Sequence, residues 1–347
     1  MVNKKPLFFL IMSVSLLSIV ACSRQNENGD KIYERTEFHM GTVIEIRIFD
    51  HGSDELLDQA FAKVVDLEQR LTVNASGSEV EAINEGAGIQ PVKVSEEVFN
   101  LIQYALYYSK KSDGLFNATI GPLTRLWNIG FNDARKPRDS EIQTVLPLLN
   151  FENVTLDATE LTVFLHEEGM RFDLGAIAKG FMADEVTSLL RENGVTRALV
   201  IMGGDLYALG GRADGSPWNI GIRNPFAIGR EDSLVGTVPA NNQAVATSGV
   251  YERYIEVNGQ IYHHILNSET GYPFVNDLLG VSVVADTGVL AEAYTTVAFA
   301  LGIEAGLAYI EDIPGVEAIF ISRNQNIYLT SGLRATFNLL NEEFTIY

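Results

Sequence analysis

The chain has 347 residues, of which 46% are apolar, and its formal net charge is −20. This length and apolar content allow a hydrophobic core of ordinary size, in one large domain or in two closely packed lobes. The acidic balance, with no basic cluster to relieve it, excludes nucleic acid as a partner, because binding to phosphates requires positive charge.

Residues 1–22 have the features of a lipoprotein export signal. Two lysines precede an apolar run over residues 7–20, which is too short for a comfortable membrane span. Cys22, the only cysteine of the chain, directly follows the small residues of a lipoprotein-type cleavage box. We therefore predict that Cys22 is lipidated, the alternative being a chance cysteine in an apolar leader. Residues 23–31 would form a tether, and the mature protein would lie on the outer side of a bacterial cell membrane, anchored by its N-terminus.

No cysteine follows Cys22, so we expect neither disulfide bonds nor thiolate metal sites in residues 32–347. That region has no internal repeat, linker or low-complexity segment. Hydrophobic periodicity predicts its elements. In the first half these are strands at 33–38 and 42–49, a helix capped by Ser53, helices at about 95–111, 122–127 and 140–149, and strands at 154–156, 161–165 and 170–173.

The second half begins with a predicted helix that follows Gly175 and ends near Asn193, with Gly194 as its stop. Strands then dominate. They are predicted at 198–202, 206–209, 218–223, 234–238, 262–266 and 280–285, followed by helices at 289–301 and 303–312 and strands at 316–321 and 327–329. Since strands and helices mix without strict βαβ alternation, the sequence predicts an α+β fold.

The segment Asp173-Leu174-Gly175-Ala176-Ile177-Ala178-Lys179-Gly180 carries the clearest chemical signal. Its acidic residue ends a predicted strand, small residues form the turn, and the lysine lies one turn into a helix. This arrangement gathers a carboxylate, open backbone N–H groups and a cation around one point, which suits a phosphate or a metal ion. A strand–helix turn with a purely structural role is the alternative.

Further motifs are rich in Gly, Asp, Thr and His. They are Met40-Gly41-Thr42, Asp113-Gly114-Leu115-Phe116-Asn117, Gly121-Pro122-Leu123, Met202-Gly203-Gly204-Asp205, Ala246-Thr247-Ser248-Gly249, and Tyr262-His263-His264-Ile265-Leu266 followed by Thr270-Gly271. With these motifs in this order, residues 32–347 resemble the ApbE family of bacterial FAD:protein FMN transferases. The resemblance implies a single α+β domain of two closely packed lobes, with mixed, largely antiparallel sheets and flanking helices.

The reaction that the resemblance implies is a magnesium-dependent phosphoryl transfer with FAD as substrate. A threonine hydroxyl of an exported acceptor protein, for example a subunit of a membrane redox pump, attacks the FMN phosphorus, and AMP leaves. FMN stays on the acceptor through a phosphoester. Such chemistry requires cations near the diphosphate, a base near the hydroxyl and an open face for the protein substrate.

The resemblance also implies the residues of the FAD and metal sites. The FAD contacts would be Met40, Asn74, Phe116, Asn117, Ala118, Asp173 and Lys179. The magnesium ligands would be the backbone carbonyl of Ala176 and the side chains of Glu292 and Thr296. For Phe116 a place in the core is the alternative, and for Lys179 it is a solvated helix position.

His264 matches the family's histidine after a tyrosine-rich strand, and we predict that it activates the acceptor hydroxyl. A neutral imidazole at pH 7 suits a general base. The alternative is a hydrogen-bonded structural histidine. His263 points to the opposite face of a strand and is predicted to be peripheral. The pair does not indicate a zinc site, because adjacent strand residues diverge and no third His or Cys accompanies them in the sequence.

Two positions depart from the family's usual pattern. Glu292 stands where an Asp is usual. Its spacing of four from Thr296 still puts both residues on one helical face, and the carboxylate of a Glu suits a hard cation as that of an Asp does. A surface glutamate is the alternative. Asn74 stands where many members carry a tyrosine, and losing an aromatic ring should weaken stacking on FAD and leave more room for water or a second ion.

Three functions are therefore compared. The first is FMN transfer to an exported protein. The second is magnesium-dependent hydrolysis of FAD to FMN and AMP, in which water replaces threonine, and Asn74 favours it. The third is a lipoprotein that only binds flavin, which Asp173, Glu292 and His264 argue against because storage requires neither a metal nor a base.

Overall fold

A computed structural model describes residues 31–74, 76–227 and 233–347. The predicted leader with Cys22 and residues 23–30 of the predicted tether lie outside the described residues. The helices are α1 Asp54–Leu71, α2 Glu79–Glu85, α3 Glu96–Lys111, α4 Gly121–Trp127, α5 Asp139–Val145, α6 Ala178–Glu192 and α7 Gly288–Glu311, with short 3₁₀ helices at Leu146–Leu149 and Ser331–Leu333.

Strands make up most of the remaining regular structure. They are β1 Tyr33–His39, β2 Thr42–Ile48, β3 Val92–Lys93, β4 Val154–Asp157, β5 Thr162–Leu165, β6 Ala198–Met202, β7 Asp205–Leu209, β8 Trp218–Arg223, β9 Leu234–Ala240, β10 Gln243–Gly249, β11 Tyr254–Val257, β12 Gln260–His263, β13 Leu278–Ala285, β14 Glu317–Ser322, β15 Asn326–Leu329, β16 Asn338–Leu339 and β17 Thr345–Ile346.

A nine-stranded sheet organises the molecule, in the order β1-β2-β6-β7-β10-β13-β14-β15-β17. Its pairs are antiparallel except for the parallel pair β15–β17. Smaller sheets, in the orders β16-β9-β8, β3-β5-β4 and β11-β12, pack around it. The result is the α+β architecture, largely antiparallel with flanking helices, that the sequence predicted.

The core has one large and two smaller parts. The large part lies between the sheet and the helices, and α1, α3, α6 and α7 contribute buried residues to it. A second part lies under β8 and β9, on the sheet face that presents Val245 and Val284. A third surrounds Trp127 and joins α4 and α5 to the β11–β12 hairpin. This third part fixes the segment that carries His264 to the rest of the molecule.

Local sequence signals account for several helix boundaries. The Ser53 side chain accepts a hydrogen bond from Leu56 N at 3.0 Å and caps α1, as predicted. Gly302 interrupts α7 with φ 77° and ψ −170°, so the two helices predicted at 289–301 and 303–312 are both present on either side of a kink. Glycine adopts this backbone conformation at little cost, which makes Gly302 a natural break.

One predicted strand is absent and another was wrong in its bounds. Residues 170–173 do not form a strand; Arg171 makes only an isolated parallel bridge to Ile120. The strand predicted at 262–266 is β12, and it ends at His263, so His264 lies just beyond it. Because the backbone turns there, Leu266 pairs instead with Pro273.

Strand β10 is central in the large sheet and was missed from the sequence. Its residues Gln-Ala-Val-Ala-Thr-Ser-Gly include only two β-branched residues and no aromatic residue, which is a weak strand signal. In the structure Ala244 and Ala246 lie in the core part that faces the helices, whereas Val245 faces the opposite part. Small side chains allow α7 to pack closely over this strand, so tertiary packing overrides the weak strand propensity.

Close approach of α6 and α7 sets the geometry of the site. A Cβ added at Gly180 would lie 2.2 Å from the carbonyl oxygen of Gly288, and one added at Gly288 would lie 2.3 Å from that of Gly180. Only glycine fits at such a crossing. The Asp184 carboxylate accepts hydrogen bonds from Gly288 N at 2.6 Å and Val289 N at 3.0 Å. These contacts hold the first turn of α7 against α6.

Candidate active site

Several turns meet at one end of the nine-stranded sheet. Met40 and Gly41 join β1 to β2, and Gly203 and Gly204 join β6 to β7. Gly203 N donates to Val43 O at 2.9 Å, and a Cβ on Gly203 would lie 2.4 Å from Thr42 Oγ1. The motif Met40-Gly41-Thr42 therefore packs directly on the motif Gly203-Gly204-Asp205, although 160 residues separate them in the sequence.

Lys179 lies beside these turns between two buried carboxylates. Its Nζ contacts Asp205 Oδ2 and lies 3.2 Å from Glu292 Oε1. Gly180 N donates to Glu292 Oε2 at 2.6 Å, and Thr247 N donates to Asp205 Oδ1 at 2.8 Å. The early turns of α6 and α7, the start of β7 and the end of β10 thus supply one charged cluster.

Electrostatics favour a charged lysine in this cluster. Burial alone would lower the pKa of Lys179, but the charges of Asp205 and Glu292 outweigh it and raise that pKa. Burial raises the pKa of Glu292, and Lys179 acts against that effect. The alternative of a solvated helix lysine does not describe Lys179, whose side chain is only 26% exposed and is held by two acidic partners.

Asp173 and Ala176 lie in the turn that precedes α6. Asp173 Oδ1 accepts a hydrogen bond from Gly175 N at 2.9 Å, and Asp173 N donates to Ala118 O at 3.1 Å. Asp173 is half-buried, whereas Gly175 and Ala176 are exposed. The turn therefore presents open backbone groups to solvent a few residues before Lys179. The predicted FAD contact of Asp173 and metal contact of the Ala176 carbonyl stay predictions.

The segment from Phe116 to Ala118 is buried next to this turn. Phe116 is 2% exposed and lies in the large core. Asn117 donates to Leu149 O at 2.8 Å and accepts from Thr119 N at 2.9 Å. Ala118 N donates to Ser109 Oγ at 2.9 Å. These contacts give all three residues a structural role, and Ala118 O, which accepts from Asp173 N, joins the segment to the Asp173 turn. Their predicted contact with FAD stays a prediction.

Glu292 and Thr296 share one face of α7, as their spacing predicted. Glu292 is buried and Thr296 half-buried. The neighbouring Thr295 Oγ1 donates to Glu292 O at 2.7 Å and accepts from Ser248 Oγ at 2.8 Å, which ties this turn of α7 to β10. Glu292 is therefore a buried residue of the cluster and not the surface glutamate of the alternative interpretation.

The donor set fits a hard cation better than a zinc-type ion. Within the described part of the chain, no group of three or more His, Cys, Asp or Glu side chains is placed to hold a metal. The predicted ligands instead comprise one carboxylate, one hydroxyl and one backbone carbonyl. All are oxygen donors, and Mg²⁺ is bound through one or two carboxylates with the remaining positions taken by water and phosphate.

His264 has the geometry of a neutral base. Its backbone N–H donates to Arg253 O at 3.2 Å, and its Nδ1 lies 3.1 Å from the same oxygen. A carbonyl oxygen only accepts hydrogen bonds, so Nδ1 carries the proton and Nε2 keeps its lone pair. Burial lowers the pKa of His264 to about 4, and the charges of Arg253 and Lys179 act in the same direction. The imidazole is therefore neutral at pH 7.

His263 has a structural role in place of the peripheral one that the sequence suggested. It is 5% exposed and packs edge-on against Phe299. Its Nε2 donates to Phe274 O at 2.9 Å, and its Nδ1 accepts from Ile265 N at 3.3 Å. Both ring nitrogens are thus satisfied by the neutral form, and burial lowers the pKa of His263 to about 4.

Acid should destabilise the fold through His263. The unfolded chain binds a proton below the ordinary pKa of 6.5, whereas the folded chain resists it until about pH 4. The contribution of His263 to the free energy of unfolding is therefore fully present above pH 6.5 and is lost as the pH falls toward 4. At 1.36 kcal/mol per pKa unit, the loss amounts to up to about 3 kcal/mol. The free energy of unfolding, measured with urea at several pH values, should depend less steeply on pH in His263→Gln than in the parent. His166 is exposed, so His166→Gln should keep the parental dependence on pH. The same dependence in all three proteins would show that His263 is not the group responsible.

Met40 and Asn74 lie at the edges of the site. Met40 is half-buried in its turn, and its N–H donates to Glu68 Oε1 at 2.5 Å. Asn74 is exposed between α1 and α2, and its N–H lies 3.2 Å from Thr72 Oγ1. The structure thus places Met40 beside the Gly203-Gly204 turn, and the roles of both residues toward FAD stay predictions.

Two acidic residues near Lys179 were not predicted as site residues from the sequence. Asp205 was quoted in a motif but not assigned to the site, although it is the nearest acidic partner of Lys179. Glu252 was not singled out; its Oε1 would lie 3.9 Å from a Cβ on Gly204. Burial raises the pKa of Glu252, and the charge of Lys179 opposes this. The glycine-flanked aspartate was a usable signal for Asp205, whereas nothing in the local sequence marked Glu252.

Known proteins share both the sequence and the fold. Residues 40–320 match the ApbE family. The chain is 39% identical over 319 residues to an FAD:protein FMN transferase of Klebsiella pneumoniae (strain 342), covering 92% of this chain and 98% of the relative. It is 35% identical over 331 residues to an FAD:protein FMN transferase of Treponema pallidum (strain Nichols), covering 90% and 91% respectively.

Two solved structures have the same architecture. The ApbE protein of Thermotoga maritima aligns with a TM-score of 0.80 at 28% identity, covering 88% of this chain and 99% of its own. The flavinyl transferase ApbE of Pseudomonas stutzeri, in its apo form, aligns with a TM-score of 0.78 at 27% identity, covering 90% and 98%. On the combined evidence of sequence, fold and motif geometry, the chain belongs to the ApbE family.

Proposed function

We propose that the protein is an FAD:protein FMN transferase, which moves FMN from FAD to a threonine hydroxyl of an exported acceptor and releases AMP. The observation that carries this proposal is the neutral His264, with its Nε2 lone pair available, together with the Lys179–Asp205–Glu292 cluster, whose lysine charge helps to lower the pKa of His264. A base and a held cation are the groups that phosphoryl transfer to a hydroxyl requires. The names of the relatives support the same activity.

In the proposed reaction each group of the chain has a defined task. His264 Nε2 takes the proton of the threonine hydroxyl as its oxygen bonds to the FMN phosphorus. The bond from that phosphorus to the bridging oxygen breaks, and AMP leaves with that oxygen. His264 then carries the proton and returns it to solvent. Lys179, held by Asp205 and Glu292, supplies positive charge close to the diphosphate, where negative charge develops.

Magnesium is the proposed cofactor, held by Glu292, Thr296 and the Ala176 carbonyl. When bound, it would neutralise diphosphate charge and polarise the leaving group. The residues that support this set lie around the start of α6 and on one face of α7, whose first turn is fixed by Asp184. Since Glu292 already contacts Lys179 and Gly180 N, its carboxylate is oriented in advance for a ligand on its remaining lone pairs.

Chelation is expected to stop AMP release from FAD, and Glu292→Ala or Thr296→Ala should raise the magnesium concentration needed for half-maximal rate. Glu292→Asp should retain activity, because the carboxylate is kept. The exposed Glu304 on the same helix provides a matched control, and Glu304→Ala should behave as the parent. Rates measured against magnesium concentration decide the point. Parental activity of Glu292→Ala at low magnesium would remove that residue from the site.

Hydrolysis of FAD by water is the second candidate, and the exposed Asn74 at the position of a usual tyrosine is what favours it. A product balance separates the possibilities. Transfer releases one AMP for each FMN that becomes bound to acceptor protein, whereas hydrolysis releases AMP and free FMN in equal amounts without acceptor. A protein that only binds flavin would retain FAD and release neither. Chromatography of the products with and without acceptor therefore tests the proposal directly.

We also propose that Cys22 is lipidated, which would place the enzyme on the outer side of a bacterial membrane beside exported acceptors such as subunits of redox pumps. This rests on the leader sequence, which lies outside the described residues. Cys22→Ser is expected to abolish lipidation and to leave the precursor uncleaved by the lipoprotein peptidase. Mobility on gels and fractionation measure both effects. A Cys22→Ser protein that still carries acyl chains and keeps parental mobility would overturn the proposal.

A further inference from the structure

The turn between β1 and β2 has an uncommon backbone conformation. Met40 has φ 51° and Gly41 φ 69°, and His39 pairs with Thr42 across the turn. In two-residue hairpin turns with positive φ at both positions, Asn or Gly is favoured at the first position, because most other side chains are disfavoured at positive φ. Met40 therefore occupies a costly conformation, and contacts from elsewhere in the fold must stabilise it.

Those contacts come from helix α1 through a histidine. Met40 N donates to Glu68 Oε1 at 2.5 Å, and His39 Nδ1 lies 2.9 Å from Glu68 Oε2. On its other side, His39 Nε2 lies 3.0 Å from Glu37 Oε2. Ionised carboxylates only accept hydrogen bonds, so each ring nitrogen must donate. The geometry therefore requires an imidazolium at His39, between two acidic side chains.

The surroundings of His39 favour its charge. Hydrogen bonding to Glu37 raises the pKa of His39, burial opposes this, and Glu68 raises it further. Arg35 on the same face of β1 is itself paired with Asp58 at 2.7 Å and lies 3.7 Å from Glu37. From β2, this face presents Thr42 opposite His39 and then the buried Ile44, Ile46 and Ile48, none of which carries a charge. The charged groups that face His39 are thus mainly acidic.

We propose that His39 is a positioning residue for FAD binding: its imidazolium holds Glu68 against the Met40 amide and so fixes the Met40-Gly41-Thr42 turn against Gly203. This inference rests on the proposed function, since FAD is the ligand that the turn would meet. Loss of the proton leaves one ring nitrogen with a lone pair that faces a carboxylate. When that nitrogen is Nδ1, the contact with Glu68 is lost and the turn loosens.

The consequence is an FAD affinity that falls as pH rises. Because the charged form is the one that holds the turn, affinity is full below the raised pKa of His39 and declines above it. Flavin fluorescence between pH 6 and 9 should show the dissociation constant for FAD increasing about three- to tenfold, the usual net worth of one hydrogen bond. His39→Gln should bind weakly already at pH 6 and lack this dependence. His166→Gln, far along the chain and exposed, should keep the parental profile.

Hydrogen exchange of the Met40 to Thr42 amides, without FAD, provides a second readout. At equal pH, exchange should be faster in His39→Gln than in the parent, and Glu68→Gln should give the same result if His39→Gln folds poorly. Equal FAD affinity and equal exchange in parent and variants would overturn the proposal. If no protein binds FAD at any pH, the proposed function fails, and the exchange rates still decide the role of His39.

Discussion

Replacing His264 by alanine is expected to lower FMN transfer by about two to four orders of magnitude, the usual contribution of a general base. The expectation follows from the protonated Nδ1 on Arg253 O, which leaves Nε2 free to accept the proton of the threonine hydroxyl. FAD affinity should change little, because the imidazole would face the acceptor and not the dinucleotide. Intact mass measures transfer, and flavin fluorescence measures binding.

Asp173→Ala is the informative comparison for His264→Ala. Its half-buried carboxylate lies in the turn before α6, so its loss should weaken FAD binding itself. Circular dichroism should show that both variants are folded. A His264→Ala protein that transfers FMN at the parental rate would leave His264 as a structural residue, and one that has lost its fold would call for His264→Gln in its place.

The pH profile provides an independent check on the same residue. Since the pKa of His264 is lowered to about 4, the base is neutral throughout the physiological range and becomes protonated only in acid. Protonation of His264 should therefore leave the transfer rate unchanged between pH 6 and 8 and lower it below about pH 5. A rate that falls already between pH 7 and 6 in the parent, but not in a variant lacking His264, would contradict an imidazole that is neutral in this range.

Replacing Lys179 by methionine should destabilise the fold and abolish transfer together. Asp205 and Glu292 are about 5% exposed, and Lys179 is the cation between them. Removing one partner of a buried ionic group costs about 3–5 kcal/mol, and the partial exposure of Lys179 places this case near the lower end. Urea unfolding measures the loss. Lys179→Arg should recover most of the stability because it keeps the charge.

The pH dependence of that loss separates charge from packing. Burial raises the pKa of Glu292, and without the lysine this carboxyl takes up a proton as the pH falls, so the deficit in the free energy of unfolding should shrink. Lys110→Met, at an exposed position of α3, should be neutral. A deficit for Lys179→Met that is absent, or that is the same at pH 5 and pH 8, would show that the lysine does not balance these carboxylates.

The local sequence predicts an element correctly where hydrophobic periodicity and capping residues alone determine it. The helix capped by Ser53, the break at Gly302 and the strand Trp218–Arg223 follow directly from such signals. Strand β10 could not be recognised, because its small residues are selected by the close approach of α7 and not by strand propensity. The strand expected at 170–173 failed for the opposite reason: its apolar pattern serves core packing without a full sheet partner.

The site likewise contains residues that the sequence predicts and residues that only the fold reveals. The sequence predicts Lys179 from its motif and Glu292 from the family resemblance, and the fold brings them together. Asp205 was visible only as part of a glycine turn, and its role depends on the register between β6 and β7. The partners of His39 are spread over β1 and α1, so no linear pattern could show that Glu68 holds the Met40 amide. Long-range pairing decides these contacts, and a single sequence does not display it.

The most direct test of the account is the intact mass of an acceptor domain after incubation with this enzyme, FAD and magnesium. We expect a mass increase of one FMN phosphoester per acceptor, no increase when the acceptor threonine is replaced by alanine, and none with chelator or with His264→Ala. AMP should appear in equal amount to the modified acceptor. An unmodified acceptor together with AMP and free FMN would contradict the transfer reaction and identify the protein as a hydrolase of FAD.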